Sequence, residues 1–94
     1  MPDAHEPDVR RILAAAGQLD NAAYELDRDA DLFDAGLTSL GAMAVVVSLE
    51  ETLGIQFAAE DLFLDALGSV RGICQLVNDT LAAPVSSPGA QRST

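Results

Sequence analysis

The chain has 94 residues, enough for one small domain, and its apolar share of 49% against 4% aromatic implies a core of Leu, Val, Ile and Ala. Fifteen Asp and Glu stand against five Arg and no Lys, a formal charge of −10. That balance excludes the basic footprint nucleic acids require and disfavours an anionic membrane surface; it favours basic protein partners, although it also serves solubility by itself.

The first apolar stripe, Val9, Ile12, Leu13, Ala16 and Leu19, predicts a helix over about 6–19. Pro7 suits its first turn, Glu6 and Asp8 suit its positive end, and Gly17 weakens its last turn. Residues 20–38 have no sustained period and hold six acids. A loop of this length in a compact domain is commonly functional, and Tyr24, Leu26, Leu32, Phe33 and Leu37 are expected to pin it across the bundle. The second helix is expected from Ser39 to Leu53, closed by Gly54 in a left-handed conformation. Ile55-Gln56-Phe57 then leads to a short helix at about 58–63, carrying Leu62 and Phe63. Ser69 can cap a last helix over about 70–82, with Val70, Ile73, Cys74, Leu76, Val77 and Leu81 at apolar positions. Residues 1–83 thus read as the domain, and 84–94 as a disordered tail. The fold class is all-α, a small four-helix bundle with a long loop between helices one and two and a short third helix.

At about 100° per residue the second helix separates two apolar groups. Ala42, Val45, Val46, Leu49 and Leu53 form one side, uninterrupted by charge. Leu40, Met43, Ala44 and Val47 lie nearly opposite, with Glu51, which resists burial, on the same side. The first group is the better core stripe. The second is a surface for a partner protein, or it packs under the long loop or against the third helix.

The stretch Asp31-Leu32-Phe33-Asp34-Ala35-Gly36-Leu37-Thr38-Ser39-Leu40 sets a serine between a turn signal and a long apolar helix. By residue chemistry alone, Ser39 or Thr38 is a helix N-cap contributing about 1 kcal/mol, or Ser39 presents its hydroxyl for modification. This stretch, followed by Leu49-Glu50-Glu51-x-Leu53-Gly54-Ile55, resembles the acyl and peptidyl carrier proteins. The resemblance extends over about residues 9–82. It implies that Ser39 carries 4'-phosphopantetheine, with Asp34, Gly36, Leu37, Thr38 and Leu40 as motif neighbours. It implies no catalytic residue in the chain itself. It implies as partners a phosphopantetheinyl transferase, a ligase that loads acyl or aminoacyl groups, and downstream enzymes that use them. Leu40, Met43, Ala44, Val47 and Glu51 would meet those partners. Fatty-acid carriers are acidic just after the serine, whereas Gly41, Ala42 and Ala44 stand here. The chain is therefore more similar to carriers of amino acids or specialised acyl groups. The alternative from another class is an unmodified acidic adaptor that binds a basic partner through the same helix.

Other chemistry is poorly supported. Asp27-x-Asp29-x-Asp31 begins like a calcium loop, but Leu32 and Thr38 stand where such a loop needs Gly and a bidentate Glu, leaving at most weak divalent binding. One His and one Cys, His5 and Cys74, are too few for structural zinc, and Cys74 reads as an inert core thiol. No metal site is expected. A single cysteine forms no internal disulfide, Met1-Pro2-Asp3-Ala4-His5-Glu6 lacks the apolar run of a signal peptide, and no stretch has the ~20 apolar residues of a membrane span. A cytoplasmic monomer is expected.

Overall fold

The computed structural model describes residues 4–62 and 64–82. The expected tail at 84–94, and Phe63 of the third helix, lie outside these residues. The first stripe forms α1, Glu6–Ala15, with Val9, Ile12 and Leu13 buried. It ends four residues earlier than the periodicity predicts, because Gln18 and Asp20 take left-handed backbone angles of 61° and 53°. The amides of Gly17, Leu19 and Asp20 still reach back to the carbonyls of Ile12, Leu13 and Ala14. Leu19 is thereby carried into the core without being helical.

The long loop contains a helix that periodicity does not reveal, α2, Ala22–Glu25. One turn cannot sustain itself by propensity, so its support must be tertiary. Arg10 of α1 supplies part of it, with Nη1 donating to the carbonyls of Ala23 at 3.0 Å and Leu26 at 2.8 Å. The same guanidinium pairs with Glu6, whose other carboxylate oxygen lies 2.8 Å from Arg28 Nε, without the alignment of a hydrogen bond.

The second predicted helix is α3, Ser39–Leu53, with the expected bounds. Ala42, Val45, Val46 and Leu49 are buried and Leu53 is half-buried, as the core stripe requires. Gly54 closes it at φ 67°, and its amide donates to Glu50 O. Beyond, Glu50 also accepts from the amide of buried Phe57 through Oε2, at 3.0 Å. The short helix expected at 58–63 is only a 3₁₀ turn, Ala59–Asp61; Leu62 leaves helical angles at φ −92°, ψ 67°, and the α-helical turn, α4, comes later, at Leu64–Leu67.

The last helix is α5, Val70–Ala82, and Ser69 Oγ accepts from Gly72 N at 3.0 Å as its cap. Val70, Ile73, Cys74, Leu76 and Val77 are buried, whereas Leu81, at an apolar position, is exposed. Helix α1 packs on both α3 and α5, so the described residues form an all-helical bundle around these three. Among the loop residues expected to pin it, Leu32 and Leu37 are buried, Leu26 and Phe33 pack against the core from its edge, and Tyr24 is exposed.

At Gly72 the backbones of α4 and α5 meet so closely that a β-carbon would collide with the Ala66 carbonyl. Gly72→Ala should therefore destabilise the fold by about 1–3 kcal/mol in urea denaturation. Gly54→Ala meets nothing in space and should lose only the left-handed backbone penalty, about 1–2 kcal/mol.

Candidate functional site

The approach to α3 is a turn organised by a carboxylate. Asp31 Oδ1 accepts from the amides of Phe33, at 2.9 Å, and Asp34, at 3.2 Å. The chain then curls as Ala35 N reaches the carbonyls of Asp31 and Leu32, and Gly36 N that of Phe33. Gly36 adopts φ 120°, a conformation that only glycine takes without strain. Leu37 N returns to Leu32 O at 2.9 Å, so the two buried leucines close the turn from beneath. Asp31, which the motif does not single out, thus orients the turn. The Asp34 side chain is exposed and takes no part in it.

Thr38 is the N-cap of α3. Its backbone is extended, φ −96° and ψ 167°, its Oγ1 accepts from Gly41 N at 2.9 Å, and its carbonyl accepts from Ala42 N at 2.8 Å. Of the two hydroxyls eligible for the cap, the structure assigns Thr38. Ser39 is the first helical residue, exposed, and its hydroxyl has no hydrogen-bond partner among the described residues. The cap serves Gly41, leaving the amides of Ser39 and Leu40 without protein acceptors at the positive end of the helix. Beside Ser39 lies an open depression walled by Phe33, Asp29, Asp31, Asp65 and Gly68.

The flanking leucines divide. Leu37 is buried and anchors the turn, whereas Leu40 is 85% exposed. Leu40 begins an outward stripe continued by Met43 at 48%, Val47 at 49%, and exposed Ala44 and Glu51. The described residues leave that face uncovered, so neither the long loop nor the short helices pack over it. The absence of acid at position 41 has a steric side. A β-carbon at Gly41 would stand 3.2 Å from both Leu37 Cδ1 and Thr38 Oγ1.

The loop is also tied from the far end of the chain. Arg71 pairs with Asp29 through two parallel hydrogen bonds, its amide donates to Arg28 O at 2.9 Å, and Leu32 N donates to Gly68 O at 2.7 Å. Nothing in the local sequence signals this pairing across 42 positions. The hydrogen-bonded guanidinium holds the Asp29 carboxyl below the ordinary carboxylate range and pushes Arg71 up. Among the described residues, no cluster of three His, Cys, Asp or Glu is disposed to hold a metal ion, and no helix is long and apolar enough to cross a membrane.

The family model described as phosphopantetheine attachment site matches residues 9–77, from α1 into α5. An aminoacyl carrier protein of Agrobacterium fabrum (strain C58 / ATCC 33970) is 32% identical over 65 residues, 69% of this chain and 78% of that protein. The chain belongs to the phosphopantetheine-binding acyl and aminoacyl carrier protein family, and 4'-phosphopantetheine is its cofactor.

Thr38→Ala, which removes the cap while leaving Ser39, should lower stability by about 1 kcal/mol in chemical denaturation. Because the Asp29 carboxyl is lowered in the folded state, its tether should be complete above about pH 4, the unfolded value, and lost as pH falls through the lowered one. Carboxyl titration by NMR should find Asp29 below the ordinary aspartate value.

Proposed function

We propose that Ser39 carries the phosphopantetheine, and that the protein tethers an acyl or aminoacyl group there and presents it to partner enzymes. The supporting observation is the division of labour between adjacent hydroxyls. Thr38 caps the helix, so Ser39 is exposed and unengaged at the first helical position. The residues fit the group in two respects. The hydroxyl is accessible, and the free amides and dipole of α3 favour a phosphate's negative charge, against the repulsion of Asp29, Asp31 and Asp65 across the adjoining depression. When bound, the group supplies a thiol on a flexible arm, where cargo is held as a thioester.

In this reading the chain performs no bond chemistry. The transferase brings its metal ion and base, and coenzyme A brings the group, which goes with a cytoplasmic setting. Asp31, Gly36 and Leu37 hold the approach turn, and Asp34 projects where it can meet the transferase or its metal. The outward stripe of Leu40, Met43, Ala44 and Val47, ending at Glu51, receives the partner enzymes. Its apolar start, together with the name of the aminoacyl carrier relative, favours an amino acid or a specialised acyl group as cargo, loaded by a dedicated ligase.

Incubation with coenzyme A, magnesium and a broad-specificity phosphopantetheinyl transferase should add one phosphopantetheine, read by intact-protein mass spectrometry. Ser39→Ala should abolish the addition while changing stability by less than about 0.5 kcal/mol, since the cap belongs to Thr38. Addition retained in that variant would sink the assignment, and none on the well-folded parent would favour an unmodified adaptor. Val47→Glu should raise the transferase KM for the protein with little effect on thermal stability, as its half-exposed position implies. A large loss of stability would instead mean that Val47 supports the core.

A further inference from the structure

We propose that Arg71 is a positioning residue for Ser39, holding the 26–38 loop through Asp29 against the start of α5 in the attitude that the phosphopantetheinyl transferase recognises. The proposal rests on the reading of Ser39 as the attachment site.

Arg71 is the second residue of α5, where a backbone amide has no acceptor within its own helix. That amide takes the Arg28 carbonyl at 2.9 Å. The guanidinium meets Asp29 fork to fork, Nε to Oδ1 and Nη2 to Oδ2. One residue therefore holds two consecutive loop positions, by backbone and by side chain. Leu32 N to Gly68 O fastens the loop again three positions on. Between the fastenings stands Asp31, whose carboxylate builds the turn into α3. Asp29 and Ser39 also wall the same depression.

The other described arginines work toward α1: Arg10 and Arg28 pair with Glu6, Arg11 pairs with Asp8, and Arg10 and the loop's Arg28 fasten the loop's near end to that helix. Among these residues only Arg71 joins the loop to α5 by an ion pair. Both partners are more than half exposed, and exposed pairs contribute little to global stability. The effect of this pair is local order. A loosened loop spends less time in the recognised form, which raises apparent KM by the inverse of that fraction and leaves the saturated rate alone.

The test follows transferase kinetics with the full chain as substrate, alongside thermal melting and amide hydrogen exchange. Arg71→Ala should raise KM for the carrier about fivefold at unchanged kcat and melting midpoint, with faster exchange at Leu32 and Gly36. Asp29→Asn should raise KM likewise, although it removes a negative charge from beside the serine. The exchange Asp29→Arg with Arg71→Glu should restore KM. Unchanged KM and exchange in Arg71→Ala, with the parent loading normally, would overturn this proposal alone. A fall in melting midpoint that accounts for the KM change would also overturn it, as would Asp29→Asn improving KM. A parent that takes no phosphopantetheine would overturn the Ser39 reading, and this one with it.

Discussion

Leu37 fixes where the start of α3 stands. A β-carbon at Gly17, just past α1, or at Gly41, in the first turn of α3, would come within 3.2 Å of its Cδ1. The side chain is thus seated against two positions kept bare, one from each helix. At Gly17 the same added carbon would crowd Leu13 O at 2.7 Å and Val45 Cγ2 at 3.2 Å, so the end of α1 lies directly against the flank of α3. Close packing of this kind admits little adjustment. The start of α3, with Thr38 and Ser39, inherits its position from it.

Above that seat, the loop is held by hydrogen bonds more than by regular structure. Its curl uses the Asp31 carboxylate and a run of short backbone bonds, and its ends use carbonyls that complete helix termini elsewhere. Arg10 takes two carbonyls at the end of α2, and Arg71 gives its amide to Arg28. Helix ends have orphan groups to satisfy, and here their partners come from distant segments. The loop and the bundle therefore complete each other.

Charge is distributed to the same effect. Glu6, largely covered, gathers Arg10 and Arg28, and a half-buried carboxylate needs such partners. The four described arginines are committed to acids of the chain, and most of the other described carboxylates are exposed. The outer face of α3 is the exception. It carries Leu40, Met43 and Val47 in the open, next to a serine whose hydroxyl no neighbour engages. A helix apolar on two sides, with only one side in the core, holds an exposed surface suited to desolvation by another protein.

The residues alone determined α3 and α5, since Ser39–Leu53 and Val70–Ala82 follow from local period, a hydroxyl before the first turn and a glycine or last apolar residue at the end. They also determined the family and the two faces of α3, because the motif is contiguous and helical geometry is uniform along its length. They did not determine the end of α1, the short α2 or the later place of α4, where the backbone follows tertiary partners against weak local preference. Thr38 and Ser39 are equally good caps by composition, and only the extended backbone at Thr38 separates them. The Arg71–Asp29 tether and the crowding at Gly72 were beyond reading for a simpler reason: each joins groups on separate segments, and proximity of that kind exists only once the chain has folded.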